Sequence, residues 1–254
     1  MEVHKHPHQV THKKKFGEYL LEFVMLFLAV FLGFVAENVR EHITEQHREK
    51  EYIKSMVEDL RTDSIKIDRA IGGGNRQSAG YDSLINYWYN KPYTDSSVRY
   101  MYYLYRKYIG QFSKILFTQR TIDQLRNAGG MSLVRNKNAS DSIVNYYDFV
   151  AVANTQIDGF ISFYQMEVLR TSYRIFDWTT MRNVPTSAFA HNILESSEKF
   201  AFLNTTVADE NTFIAQLRIT GAVLKNYLNM LIAQRQRCLR LINVLNERYH
   251  LENE

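Results

Sequence analysis

Read as a pattern of apolar and polar positions, the chain begins with a polar tail and then an unbroken apolar run, Leu20–Ala36 (LLEFVMLFLAVFLGFVA), whose one charged residue is Glu22. Seventeen residues lie at the short end of what spans a hydrocarbon core. Tyr19 suits the headgroup level, and Glu22 lies within one turn of that end, where its carboxylate reaches the interface. A buried core helix can carry a run this long, but Lys13, Lys14 and Lys15 directly precede it and a polar helix directly follows, which favours a membrane span. A cleaved signal peptide fits less well: the run is long for a signal core, and Val35-Ala36-Glu37-Asn38 is a poor small-residue cleavage site.

Beyond the run there is no Gly or Pro until Gly72, so one helix is predicted to continue to about Ile71, ~80 Å in all with the span. Its first part, ENVREHITEQHREKE, is charged nearly all round and reads as a solvated stalk. An apolar seam begins at Ile53 and runs through Val57, Leu60, Ser64, Ile67 and Ile71, steps of four and three that mark a packed helix face. Gly72-Gly73-Gly74 is expected to end this helix; with no Gly-Lys-Ser/Thr after it and no strand before it, it is not a phosphate loop.

A shorter helix is expected over Arg76–Tyr89, closed by Asn90-Lys91-Pro92, and another over Ser97–Asn127 with Asp95 or Ser96 as its cap. Ala128-Gly129-Gly130 reads as a helix stop and Met131–Val134 as a short connector. Two long seams follow: Ile143, Tyr147, Val150, Asn154, Ile157, Ile161, Tyr164, Val168, and then Phe213 through Leu217, Thr220, Leu224, Tyr227, Leu231, Gln234, Cys238 and Leu241 to Leu245. Each is the stripe of a long helix packed as in a coiled coil or bundle. Asn183–Thr206 is the expected long loop, with a short helix near Ala188–Lys199. The predicted fold is therefore all-α: a basic, His-rich tail (1–18), a transmembrane helix (19–36), a stalk (37–52) and an antiparallel helical bundle (53–254).

Composition sharpens this picture in three places. Low counts of Gly (11) and Pro (3) in 254 residues favour long helices over a turn-rich β fold. The single cysteine, Cys238, excludes an internal disulfide and a thiolate-rich metal site. The net charge of +4 is too small to indicate nucleic acid, and much of it sits in Lys5 and Lys13–Lys15. Only Arg40 follows within ten residues of the other end, so the positive-inside rule places the tail in the cytoplasm and the domain across an inner membrane, in the periplasm of a Gram-negative cell.

Candidate chemistry is sparse. Ala29, Gly33 and Ala36 form a small-residue strip that lets a second anchor helix approach. His4, His6, His8 and His12 suit weak binding of a transition-metal ion, with a basic tail on anionic lipid as the blander account. His42 and His47 are five apart, the wrong spacing for a helical metal pair. Trp88, Tyr100, Tyr103, Tyr105 and Tyr108 belong to an aromatic-dense stretch that lies on several sides of one helix, which points to a protein or glycan contact surface as well as to core packing. Asp59, Asp63 and Asp68 read as helix-surface charges paired with Arg61, Lys66 and Arg69. No catalytic triad, nucleotide loop or metalloprotease motif is present, and no cofactor is implied.

Two stretches together resemble an uncharacterised single-anchor membrane family of Bacteroidota-type bacteria: Tyr19–Asp63, and Phe117–Tyr147 with Leu125, Gly129, Leu133, Val134, Asn136, Tyr146 and Tyr147. The resemblance covers about a third of the chain, rests on packing and capping residues, and implies topology without a catalytic site. Many members have Trp after the span, where this chain has Glu37-Asn38-Val39-Arg40. The expected function is a non-enzymatic interaction or scaffold protein of the cell envelope, its partners the bilayer and either a second copy or another envelope protein. The alternative is a ligand-sensing helical domain acting through a partner.

Overall fold

The computed structural model describes residues 15–90, 93–109, 115–127, 130–185 and 189–251. It is all-α: α1 (Phe16–Asn90), α2 (Asp95–Leu104), α3 (Arg120–Asn127), α4 (Lys137–Thr155), α5 (Ser162–Ser172), α6 (Phe189–Glu195) and α7 (Val207–Tyr249). Among the described residues the only β pairing is an isolated antiparallel bridge between Phe176 and Phe202. The chain divides into two compact units, Met1–Glu51 and Tyr52–Glu254, and α1 contributes to both.

In the first unit, α1 contains the one helix window long and apolar enough, among the described residues, to cross a membrane. None of that window is buried, and side chains such as Leu26 (69%) and Phe34 (68%) stand open. The run is therefore not a core helix of this fold. Most of the polar residues after it are exposed too, with Glu45 and Lys50 half-buried and Glu49 buried, and local bonds link some of them, such as Arg40 to Glu37 at 2.5 Å and Gln46 to His42 at 2.9 Å.

In the second unit, α7 runs antiparallel to α1, as the pairings of Leu60 with Cys238, Asp68 with Arg235 and Asp82 with Lys225 require. It is antiparallel to the α4–α5 run as well, since Gln234 meets Tyr146 and Thr220 meets Tyr164. The α7 seam is buried at every position from Phe213 to Leu245, because a helix of 43 residues at regular four-three spacing keeps one face turned inward. The seam from Ile143 is interrupted by a π-helical turn, Gln156–Ile161, at which the Ser162 hydroxyl reaches back to the Ile157 carbonyl.

Two boundaries differ from expectation. Gly72-Gly73-Gly74 does not end a helix: α1 passes through all three and on to Asn90. A β-carbon on Gly74 would collide with Leu228 of α7, and one on Gly80 with Tyr108, so these two glycines let side chains of other elements press against the α1 backbone. Packing against α7 supplies the stability that three poor helix formers withhold. The predicted Ser97–Asn127 helix is also broken up. Its described residues comprise α2, a π-helical turn at Tyr105–Ile109, an irregular segment 115–119 and then α3, and the cap of α2 is Thr94, in a capping box with Ser97. Asp95 instead accepts the Phe200 amide at 2.9 Å and pairs with Arg99, which donates to the carbonyls of Ser196 and Glu198.

Candidate functional site

The aromatic stretch separates into a core half and a surface half. Trp88 and Tyr105 are 5% and 2% exposed, and both belong to a buried cluster around Phe176, whose ring centroid lies 6.5 Å from Trp88 and 5.1 Å from Tyr105. Phe202, Phe213 and Tyr102 complete it with tilted and edge-on contacts. The Tyr105 hydroxyl donates to Ser172 at 3.0 Å, and burial pushes its pKa up to about 12. These two residues are structural and do not form a contact surface. The reason is tertiary: the rings of both pack on Phe176, which lies about 70 residues or more further along the chain. Tyr100, Tyr103 and Tyr108 remain partly exposed, with Tyr100 and Tyr103 stacked at 5.6 Å. The Lys107 ammonium sits 5.1 Å over each of the Tyr103 and Tyr108 rings and donates to the Tyr103 hydroxyl at 2.6 Å, which raises its pKa.

Asp59 and Asp63 are not surface charges. They are 3% and 0% exposed and stand one turn apart on the inner face of α1. Asp63 accepts the Thr118 amide (2.8 Å), the Thr118 hydroxyl (2.7 Å) and the Tyr146 hydroxyl (3.1 Å). Asp59 accepts the Thr121 amide and hydroxyl and pairs with Arg120 at 2.8 Å. Each carboxylate thus satisfies a backbone amide at the entry to α3, which holds the segment 115–119 against α1. The sequence signal for this was the Thr118-Gln119-Arg120-Thr121 run, two hydroxyl residues three apart at the start of a helix, set against two aspartates four apart on α1. Asp68 alone of the three aspartates is a surface charge, paired with Arg235. Cys238 lies beside this network, fully buried, with its thiol toward the Leu60 carbonyl at 3.1 Å; burial raises its pKa to about 12.

A cavity of about 840 Å³ opens between α1, α7 and the segments flanking Lys107 and Ile115. Lys66, Arg69, Arg76 and Lys107 line it, with no carboxylate among the described lining residues. Its apolar wall is built by Leu224, Tyr227 and Leu228 of α7 with Ile115 and Leu116, and the α1 backbone is bare at Gly73 and Gly74. Lys66 is anchored by the Leu116 carbonyl and the Thr118 hydroxyl, both at 2.9 Å, so the aspartate network also fixes one edge of the cavity. The volume is that of a small-molecule site.

Ala29, Gly33 and Ala36 are exposed on α1, with nothing within 4 Å of a β-carbon built on Gly33. His4, His6, His8 and His12 lie outside the described residues. Among the described residues, no group of three or more His, Cys, Asp or Glu is placed to hold a metal ion. No protein-family model, curated protein or solved structure matches the chain.

Proposed function

We propose that this chain is a single-pass membrane protein whose helical bundle acts by binding, as an interaction module of the cell envelope, and not as a catalyst. The observation that carries the reading is the fully exposed apolar window of α1, an arrangement that leaves a large apolar surface in water unless a bilayer covers it. The lysine-rich approach to that window supports a cytoplasmic N-terminus and a periplasmic bundle in an inner membrane. The resemblance to the single-anchor family supports the same topology. A binding role is supported by the way the chemically suggestive groups are used. Asp59 and Asp63 are saturated by structural donors, and the Cys238 pKa is moved away from that of a nucleophile.

Extraction with alkaline carbonate tests the anchor. The chain is expected in the membrane pellet, and a Leu28→Arg/Phe31→Arg variant in the soluble fraction, since each arginine at mid-span costs about 2.5–3.5 kcal/mol. Recovery of the unaltered chain as soluble protein overturns the reading. Labelling of Lys15→Cys and Glu247→Cys in a Cys238→Ala background, with an impermeant maleimide on intact cells, tests the orientation: only Glu247→Cys is expected to react. A second reading, a ligand-sensing domain that signals through a partner, is favoured by the basic cavity.

A further inference from the structure

We infer that the cavity between α1 and α7 binds a small organic phosphate, with its head on the α1 arginines and its apolar body against α7. The inference deepens the ligand-sensing reading and does not depend on the anchor.

The first argument is charge. Along the α1–α7 seam, cations beside the cavity are neutralised across the helix pair, Arg235 by Asp68 and Lys225 by Asp82. Of the cations that line the cavity, Lys66 reaches the buried Asp63 carboxylate at 3.6 Å, whereas no carboxylate stands among the described lining residues to meet the other three. Arg69 and Arg76 are exposed and have no ion pair among the described residues. Seven residues apart, they share one face of α1 and are separated by ~10 Å along its axis. Two guanidinium forks with Lys66 and Lys107 beside them match a phosphate dianion better than a single carboxylate.

The second argument is the glycines. Each costs about 1 kcal/mol relative to Ala in a helix interior. Gly74 is explained by Leu228, but a β-carbon on Gly73 meets nothing within 4 Å. Gly73 lines the cavity and falls between Arg69 and Arg76 on the same face of the helix. Packing gives no reason for a glycine there, whereas a ligand lying against the backbone between two arginines does. Leu224, Tyr227 and Leu228 then offer an apolar surface to the rest of the molecule.

The test uses the full chain in neutral detergent and 1-naphthyl phosphate as probe, titrated by calorimetry. Saturable one-to-one binding is expected, weakened about tenfold or more in Arg69→Ala/Arg76→Ala. Gly73→Leu is expected to bind about tenfold more weakly while unfolding at or above the temperature of the unaltered chain, because it improves the helix and fills the cavity. Gly72→Ala, outside the lining, is expected to gain stability and keep its affinity. Nanodiscs of phosphatidylcholine with or without about a third phosphatidylglycerol separate two sources of the same chemistry. Loss of probe binding in the anionic discs identifies a lipid headgroup, and unchanged binding a soluble phosphate ester. No saturable binding up to about 5 mM probe, or equal affinity in the arginine and Gly73→Leu variants, overturns the inference.

Discussion

The Tyr146 hydroxyl donates to the Asp63 carboxylate at 3.1 Å, between α4 and α1, with the two residues 1% and 0% exposed. The same carboxylate holds Thr118, and Thr118 helps hold Lys66 at the edge of the cavity. One buried aspartate therefore connects three segments of the second unit and the cation placement in its cavity. Burial, followed by the nearby Cys238 and Asp63, drives the Tyr146 pKa far upward, so the phenol stays a donor throughout the physiological range.

Replacing Asp63 by Ala removes the acceptor from an amide and two hydroxyls at once. The expected loss is about 3 kcal/mol, with a smaller loss for Asp63→Asn, which keeps one acceptor oxygen. Urea unfolding of the full chain in detergent measures both. A loss below about 1 kcal/mol for Asp63→Ala would show that the segment 115–119 is held by other contacts.

The same Gly→Ala change is expected to have opposite signs at two glycines. At Gly80 the new methyl collides with Tyr108, and overpacking outweighs the gain in helix propensity, for a net loss of about 1–2 kcal/mol. At Gly221 the nearest atom to a new β-carbon is Tyr81 Cβ at an ordinary 3.6 Å, so propensity prevails with a gain of about 0.5–1 kcal/mol. Thermal unfolding of the two variants side by side gives the signs.

Trp88→Ala and Phe176→Ala are expected to destabilise the second unit by about 3–5 kcal/mol each, as large-to-small changes inside an aromatic core. Tyr100→Ala, at the surface, is expected to change stability by less than about 1 kcal/mol. Similar values for Trp88 and Tyr100 would contradict the division of the aromatic stretch into core and surface.

Alkaline pH is expected to weaken the fold. Cys238 rises from an ordinary 9.0 to about 12, and Tyr105 from 10.0 to about 12, both through burial. Below pH about 9 both states hold these protons and the stabilisation is complete. As pH rises further the unfolded chain releases them before the native chain does, so stability falls between about 9 and 12. Unfolding temperatures from pH 8 to 11 measure the decline, and Cys238→Ala is expected to delay its onset by about one pH unit. The native thiol is expected to resist an aromatic disulfide reagent that reacts at once after unfolding.

Much of the fold was legible because helices report themselves locally. The α7 seam and the run from Ile143 could be read from spacing alone: every α7 position is buried, and in the other run only Asn154 and Tyr164 are half-buried. The apolar window was legible for the same reason. The cavity was not, although Lys66, Arg69, Gly73 and Arg76 form one stripe on α1. A triple glycine reads as a helix end until a second helix is known to lie against it, and the partner wall comes from α7, about 150 residues later. Asp59 and Asp63 were misread in the same way: an i, i+4 acidic pair looks like a surface pair unless Thr118 and Thr121 are known to lie opposite.

By itself, then, the sequence determined the all-α class, the apolar window, the long seams and a helix end at Asn90, because all of these follow from interactions within a few residues along the chain. Only the tertiary structure decided that α1 continues through Gly72–Gly74, that Trp88 and Tyr105 are core, and that two aspartates are buried. It also decided that four cations share one cavity. In each case the deciding contact lies between segments far apart in sequence, where local propensity and spacing carry no information about which face meets which.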